Sequence, residues 1–316
     1  MNARTPRPRT SGVVSSAVAL DALRAALGAR RATRTALTRP GVRLMSTAAG
    51  VVRVRDSGED RPVVVIACDP PNVVEHYDAV FELLAPQHRV ICWEMPGFGF
   101  SRPARSFGFT LHEYERVTAQ LLDELQVTAA AVAFPCVWGY VAVQLAAHRP
   151  DLVRGLVLAQ APHWSEEVAW ARRLDSTHVI GTPYLGQLLM AAAPARVARR
   201  WYQVALPTGA PAATVAAFVE PAERVLRGGG LFCLASLTQA WFGGATPGPV
   251  HDLPSATQPA VLMWGQADRS HRRSHPESAL PYLPNGKVLA HPDAGHFPDL
   301  EHPERLGEAL TALEAR

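Results

Sequence analysis

Cys136, Asp268 and His296 each stand just past a short apolar run. AVAF precedes Pro135–Cys136, VLMWG precedes Gln266–Ala267–Asp268, and KVLAH leads into PDAGH, which ends on His296. A thiol, a carboxylate and an imidazole are the set that nucleophilic catalysis requires. The thiol attacks, the imidazole takes and returns its proton, and the carboxylate fixes the imidazole tautomer. Two further polar groups sit in the same relation to apolar runs: Cys68, Asp69 and Asn72 after VVVIA, and Glu94 after ICW.

Strands must position these residues, and the patterning supplies them. VVRVRD alternates with period two, and RPVVVIAC is a continuous apolar run suited to a strand buried on both faces. EHYDAVFELLAP has helical spacing, HRVICWE is a strand, and LHEYERVTAQLLDELQV is an amphipathic helix. TAAAVAF and VRGLVLAQ are buried strands on either side of a helix, VWGYVAVQLAAH, that stops before Pro150. Strands alternating with helices of this length imply βαβ units and a mostly parallel α/β sheet, whose ligands sit beyond the carboxyl ends of the strands. The rhythm breaks between about Pro162 and Pro254, resumes with QPAVLMWG and GKVLAH, and closes on the helix HPERLGEALTALEA. The expected organisation is therefore a core of residues 49–161 and 254–316, a helical insert at 162–253, and a basic extension at 1–48 that is partly helical or disordered.

Composition narrows the class. The chain has 316 residues, 48% of them hydrophobic, enough for a full globular core. Its four cysteines form no CxxC pair, so neither a disulfide framework nor zinc-type spacing is present, and reduced thiols in a cytoplasmic setting are expected with no metal. A net charge of +3 with no arginine stripe interleaved with aromatics argues against nucleic acid as a partner. The first 55 residues hold the basic excess, with Asp21 their one acidic residue; an amphipathic helix over about 16–37 on a disordered tail accounts for them. GVVSSAVAL is too short, and too soon interrupted, for a secretion signal. No run approaches the ~20 apolar residues of a membrane span. A small, partly apolar molecule is the expected partner, and the oligomeric state is left open.

Four stretches together resemble the α/β-hydrolase fold family: HRVICWEMPGFGFSRP, GYVAVQLAAHRPDLVRGLVL, WGQAD and DAGHFPDLEHPERL. The likeness covers about residues 50–310 and puts the helical insert where that family carries its cap. It implies a nucleophile at Cys136, an acid at Asp268 and a general base at His296, in the family's chain order. The implied enzyme is a cofactor-independent hydrolase or acyl transferase acting on a small ester, thioester or lactone.

Two departures qualify the resemblance. The family's G-x-S-x-G elbow reads Phe134-Pro135-Cys136-Val137-Trp138 here, and two bulky aromatics are expected to relax the turn or re-aim its side chains. The oxyanion loop H-G-x-P falls on Cys68–Asp69–Pro70–Pro71, so its donor position is Pro70, which has no N–H; a shift of one residue puts the Asp69 carboxylate there. The Val137 N–H remains, with the Asn72 side chain as a replacement donor. Loss of one donor costs roughly 3–4 kcal/mol, which leaves activated esters feasible and amides not.

Cys68, Trp138, Trp164 and Phe297 are expected to line the substrate pocket, with Trp170 and Trp201 as further candidates. The family's sheet order also puts Cys68 near Cys136, as a redox pair or as two unconnected thiols. Glu94 is expected to hold loop amides. His163, His271 and His291 lie near the cleft with no motif around them. Two other readings compete: an isomerase, lyase or cyclase using His296–Asp268 for proton transfer, and a catalytically silent binder of an apolar ligand.

Overall fold

The computed structural model describes residues 12–243 and 253–314. The apolar runs become eight principal strands: β1 (Val42–Thr47), β2 (Gly50–Asp56), β3 (Val63–Ala67), β4 (Arg89–Trp93), β5 (Ala130–Pro135), β6 (Val153–Ala159), β7 (Ala260–Gly265) and β8 (Gly286–His291). Between and around them lie α1 (Gly12–Ala36), α2 (Asp78–Leu84), α3 (Leu111–Glu124) and α4 (Trp138–His148). The insert contributes α5 (Trp164–Leu174), α6 (Leu185–Ala192), α7 (Pro194–Ala205), α8 (Ala212–Arg227) and α9 (Leu234–Trp241), and the chain closes on α10 (Pro298–Glu301) and α11 (Pro303–Glu314). No described helix is long and apolar enough to cross a membrane.

The strands join one sheet in the order β1-β2-β4-β3-β5-β6-β7-β8. β2 runs antiparallel to β1 and β4, and every pair from β4 to β8 is parallel. Alternating side chains divide the core. On one face Val65, Ile91, Val132, Leu156 and Leu262 pack with Leu121 of α3 and Leu145 of α4. On the other, Val64, Val90, Ala131, Val157 and Val261 pack with Leu84 of α2 and Leu306 and Leu310 of α11. Burial on both faces is why β5 and β7 read as unbroken apolar runs.

The chain runs from β3 outward to β4, then returns to lay β5 on the other side of β3. That reversal opens a crevice at the carboxyl ends of β3 and β5, where an open parallel sheet receives its ligand. α3, which follows β4, is set by a capping box. The Thr110 hydroxyl accepts from the Glu113 N–H at 3.3 Å and the Glu113 carboxylate accepts from the Thr110 N–H at 3.1 Å.

The amino-terminal segment differs from expectation. β1 lies inside the stretch read as an extension and pairs with β2, so the sheet begins at Val42 rather than near residue 49. The helix expected over about 16–37 is present as α1, and it is docked on the insert. Asp21 is fully buried, its carboxylate accepts from the Ser236 hydroxyl at 2.7 Å, and Arg24 donates to the Met190 carbonyl at 3.3 Å. Tertiary contacts with α6 and α9 thus hold a helix whose own sequence is only weakly amphipathic. Residues 1–11 and 244–252 lie outside the described residues.

Candidate active site

Cys136 ends β5 with a backbone φ of +50°, and its N–H donates to the Ala159 carbonyl at 2.7 Å. The tight strand-to-helix turn therefore survives both aromatics, contrary to the expected relaxation. Their bulk goes into the core instead. Phe134 meets Trp93 edge-on at 5.7 Å, and Trp138 sits among Phe98, Tyr114 and Trp241 with its indole N–H donating to the Cys68 carbonyl at 2.9 Å. Close approach of strand and helix is shifted by one residue to Gly139, where an added Cβ would lie 2.8 Å from the Ala161 methyl. Holding a non-glycine residue at positive φ costs on the order of 1–3 kcal/mol, the kind of strain found at working sites.

Asp268 and His296 follow β7 and β8. Their loops interlock at Gly265, where a Cβ would fall 1.8 Å from the Gly295 carbonyl oxygen. The Glu301 carboxylate accepts from the Gly295 and Phe297 N–H groups at 3.0 and 3.1 Å, and the His296 N–H donates to the Ala205 carbonyl of α7 at 2.9 Å. So fixed, His296 Nδ1 lies 2.7 Å from Asp268 Oδ2. The same oxygen takes Gln160 Nε2 at 2.8 Å and His271 Nδ1 at 2.9 Å, while Oδ1 accepts from the Ser270 N–H at 2.7 Å. Burial opposes ionisation of Asp268, but His296 and His271 hold its pKa well below the ordinary carboxylate value. Burial likewise opposes charge on His296, and Asp268 followed by Cys136 and Asp69 outweighs it, so the imidazole titrates well above its ordinary value.

The other ring nitrogen of His296 does not meet the thiol alone. His296 Nε2 lies 3.3 Å from Asp69 Oδ2, an ion-pair contact outside hydrogen-bond alignment. Cys136 Sγ completes the group, with the three ligand atoms all within 4.8 Å of one another. Burial, then the Asp69 and Glu167 carboxylates, push the Cys136 thiol far above its ordinary range. The thiol, the imidazole and the Asp69 and Asp268 carboxyl groups thus share one buried centre.

Asp69, Pro70, Cys136 and Val137 line a cavity of about 220 Å³ between the sheet and the insert, closed by apolar side chains that include Trp170, Trp201, Val204 and Leu237. Of the pocket residues expected from sequence, four lie elsewhere. Trp138 is in the core beneath the elbow, and Trp164 is stacked on Phe242 at 5.4 Å. Phe297 packs on Phe218 at 5.3 Å and buttresses His296 edge-on. Cys68 faces the opposite side of the sheet, with its Sγ 3.4 Å from Cys92 Sγ, so its thiol neighbour is Cys92 and not Cys136. Asn72 lines a separate small cleft beside Phe98 and Val225; its carbonyl oxygen accepts from the Tyr202 hydroxyl at 2.9 Å, and its amide nitrogen is buried without a hydrogen-bond partner. Glu94 holds loop amides as expected, accepting from the Phe100 and Val74 N–H groups at 2.6 and 3.3 Å and from Arg53 at 2.8 Å.

Sequence reasoning missed the company His296 keeps. His271 stacks on Trp170 at 4.8 Å and on His296 at 5.2 Å, and its Nε2 lies 3.7 Å from the fully buried Glu167. Trp170 lies parallel to His296 at 6.1 Å and Trp201 meets it edge-on at 4.9 Å. The one sequence signal was the position of His271 three residues after Asp268, a spacing that lets both imidazoles reach one carboxylate.

Residues 61–303 match the family described as alpha/beta hydrolase fold. Haloalkane dehalogenase 2 of Mycobacterium tuberculosis is 24% identical over 285 residues, covering 85% of this chain and 93% of that protein. Among solved structures, epoxide hydrolase A of Mycobacterium thermoresistibile superposes with a TM-score of 0.68 at 18% identity, covering 87% of this chain and 98% of that one. A haloalkane dehalogenase of Bradyrhizobium elkani superposes with a TM-score of 0.63 at 21% identity, covering 87% and 99%. The family match spans most of the core and the whole insert, and with the strand order and the loop-end site it makes the chain an enzyme of the α/β-hydrolase fold family.

Proposed function

We propose that this hydrolase opens a small, largely apolar epoxide, with Asp69 as the attacking carboxylate and His296 as acid and then base. The observation that carries the reading is the Asp69 carboxylate itself, which lines the cavity 3.3 Å from His296 Nε2. Attack on a carbonyl builds charge on oxygen, and here the loop that would receive it offers a carboxylate and a proline without an N–H. The ring-opening step, at a saturated carbon, forms no tetrahedral oxyanion; one forms only later, when water adds to the resulting ester. It needs a nucleophile and a proton for the departing oxygen.

Asp69 and the His296 imidazolium supply both. A carboxylate oxygen bonds to the epoxide carbon, the C–O bond breaks, and the Nε2 proton passes to the freed oxygen. The resulting ester has lost the Asp69 charge that helped hold the proton on His296. Neutral His296 then takes a proton from water, whose oxygen adds to the ester carbonyl. Collapse releases the diol and restores the carboxylate and the imidazolium. Asp268 fixes the ring through Nδ1 throughout. The named relatives, a haloalkane dehalogenase and an epoxide hydrolase, also point to chemistry at saturated carbon.

Single turnover of an epoxide in ¹⁸O-labelled water tests this. The label is expected in the Asp69 peptide by mass spectrometry, with turnover abolished by Asp69→Asn and kept by Cys136→Ser. Turnover that survives Asp69→Asn would discard it.

A second reading is favoured by the positive φ of Cys136 at the cavity wall. In it Cys136 attacks an ester, thioester or lactone as the nucleophile of a Cys136–His296–Asp268 triad, with the Val137 N–H as oxyanion donor. It requires the opposite variant pattern, a dead Cys136→Ser and an acyl adduct on Cys136.

A further inference from the structure

We propose that Cys136, Asp69 and His296 form a binding site for a thiophilic divalent cation, best fitted by zinc, and that the ion shuts the active site when it binds. These residues lie far apart in the chain, and only the meeting of the β3, β5 and β8 loops brings a sulfur, an oxygen and a nitrogen within 4.8 Å of one another. Two of the three donor atoms, Asp69 Oδ2 and His296 Nε2, are buried and have no hydrogen-bond partner. Burying such atoms without a partner costs free energy, and a cation between them removes that cost.

The distances suit a small four-coordinate ion. Zinc at about 2.0–2.3 Å from each donor sets ligand atoms roughly 3.3–3.6 Å apart in a tetrahedron. Nε2 and Oδ2 already stand 3.3 Å apart, and the sulfur lies within 4.8 Å of both, so its side chain is the one that closes on the ion. A mixed S, N, O set selects zinc or cobalt over magnesium or calcium, which take oxygen alone. Asp69 and Cys136 line the cavity, which gives an ion its entry path. A competing trio, Asp268, His271 and His296, is less suitable. Its imidazole Nδ1 atoms already bond Asp268 at 2.7 and 2.9 Å, so a cation there would have to break satisfied contacts.

Binding displaces two protons to solvent, one from the thiol and one from the imidazolium, and leaves a neutral centre of Zn²⁺, thiolate, carboxylate and imidazole. It also occupies Asp69 and Nε2, the two groups that the proposed reaction uses. The inhibition therefore rests on that reading, whereas the binding does not.

Titration of the metal-free full-length protein with Co²⁺ tests the site without any substrate. One equivalent is expected to give the near-ultraviolet thiolate-to-cobalt band and the strong visible bands of four-coordinate cobalt, all displaced by Zn²⁺. Cys136→Ser should remove the thiolate band, and Asp69→Asn and His296→Ala should each weaken binding by at least about tenfold. Should Cys136→Ser misfold, Cys136→Ala takes its place. A thiolate band that survives the loss of Cys136, or no band in the parent, would overturn the proposal. Epoxide turnover by the metal-free enzyme, lost with zinc and restored by a chelator, supports the shut-off; turnover that rises with zinc overturns it. A cobalt band in a protein inactive both with and without metal would leave the site standing and remove the epoxide reading.

Discussion

Two carboxylates flank His296, one from the β7 loop and one from the β3 loop, and their surroundings are opposite. Asp268 receives four donors, from Gln160, Ser270, His271 and His296, at 2.7–2.9 Å. Asp69 Oδ2 has the 3.3 Å ion-pair contact and no aligned donor. A saturated carboxylate is a poor nucleophile and a good anchor, because its lone pairs and its charge are committed. A starved one keeps them available for an electrophile, a proton or a metal ion. The contrast assigns orientation to one acid and chemistry to the other, although both touch the same ring.

The sharpest way to break that contrast is to neutralise each acid in turn. Asp268→Asn should be the more damaging. It removes the anchor from two buried imidazoles and presents an amide N–H where an acceptor is needed. Activity should fall by about 10³–10⁴, and the protein should lose roughly 3–5 kcal/mol, read from kcat/KM and a urea midpoint. Asp69→Asn should also abolish turnover, by at least about 10³. Yet it should shift the urea midpoint by less than about 1 kcal/mol, because His296 keeps its 2.7 Å partner. Equal loss of stability in the two variants would mean that Asp69 is as structurally committed as Asp268.

The pH dependence of stability sharpens it further. The pKa of His296 is raised, so its stabilising effect is complete below the unfolded value near 6.5 and fades as pH rises through the higher folded value. Asp268 is depressed, so its contribution stands above about pH 4 and fades as pH falls through the lower folded value. A third acid on the α10 side, Asp299, is pushed up to about 7 by burial and then by Asp69. It therefore destabilises progressively between about pH 4 and its folded pKa. Unfolding midpoints should peak in mildly acidic buffer and drop toward pH 8.5. Asp299→Asn should flatten the drop, adding up to about 4 kcal/mol at pH 8 and little at pH 4. An unchanged pH profile in that variant would show that Asp299 titrates alike in the folded and unfolded chain.

Legibility followed the same division. β3, β5 and β7 could be read because continuous apolar runs in a βαβ rhythm have few alternatives, and the residues just past them fall at the sheet's carboxyl edge whatever the substrate. The His296–Asp268 contact followed from that placement, and the amide-holding role of Glu94 from the resemblance to the α/β-hydrolase family. What could not be read was packing. No pattern in the chain says that Trp138 turns into the core while Trp170 and Trp201 enclose His296, since all are large apolar residues on helices. β1 was hidden because VRLMST is a half-exposed edge strand with weak alternation. The meeting of Asp69 with His296 depends on the path of one loop around Pro70 and Pro71, which no periodicity records.

The smallest expected effect concerns Cys136, the residue most conspicuous in the sequence. Its thiol lies beside the same imidazole as Asp69, but burial and then the Asp69 and Glu167 carboxylates push its pKa far up, whereas Asp69 stands 3.3 Å from His296 Nε2 with no aligned donor on that oxygen. A neutral, buried thiol reacts slowly, since the thiolate is the nucleophile. Cys136→Ser should therefore retain epoxide turnover within about tenfold, the cost of a slightly altered cavity wall and not of a lost nucleophile. Iodoacetamide labelling of Cys136 should stay slow up to pH 8 in the parent and accelerate in Asp69→Asn, because removing that carboxylate lowers the thiol's pKa toward its ordinary value. Fast labelling of the parent at pH 7, together with a dead Cys136→Ser, would reverse the assignment. The elbow would then be the reacting loop, and Asp69 would serve only to hold His296 charged.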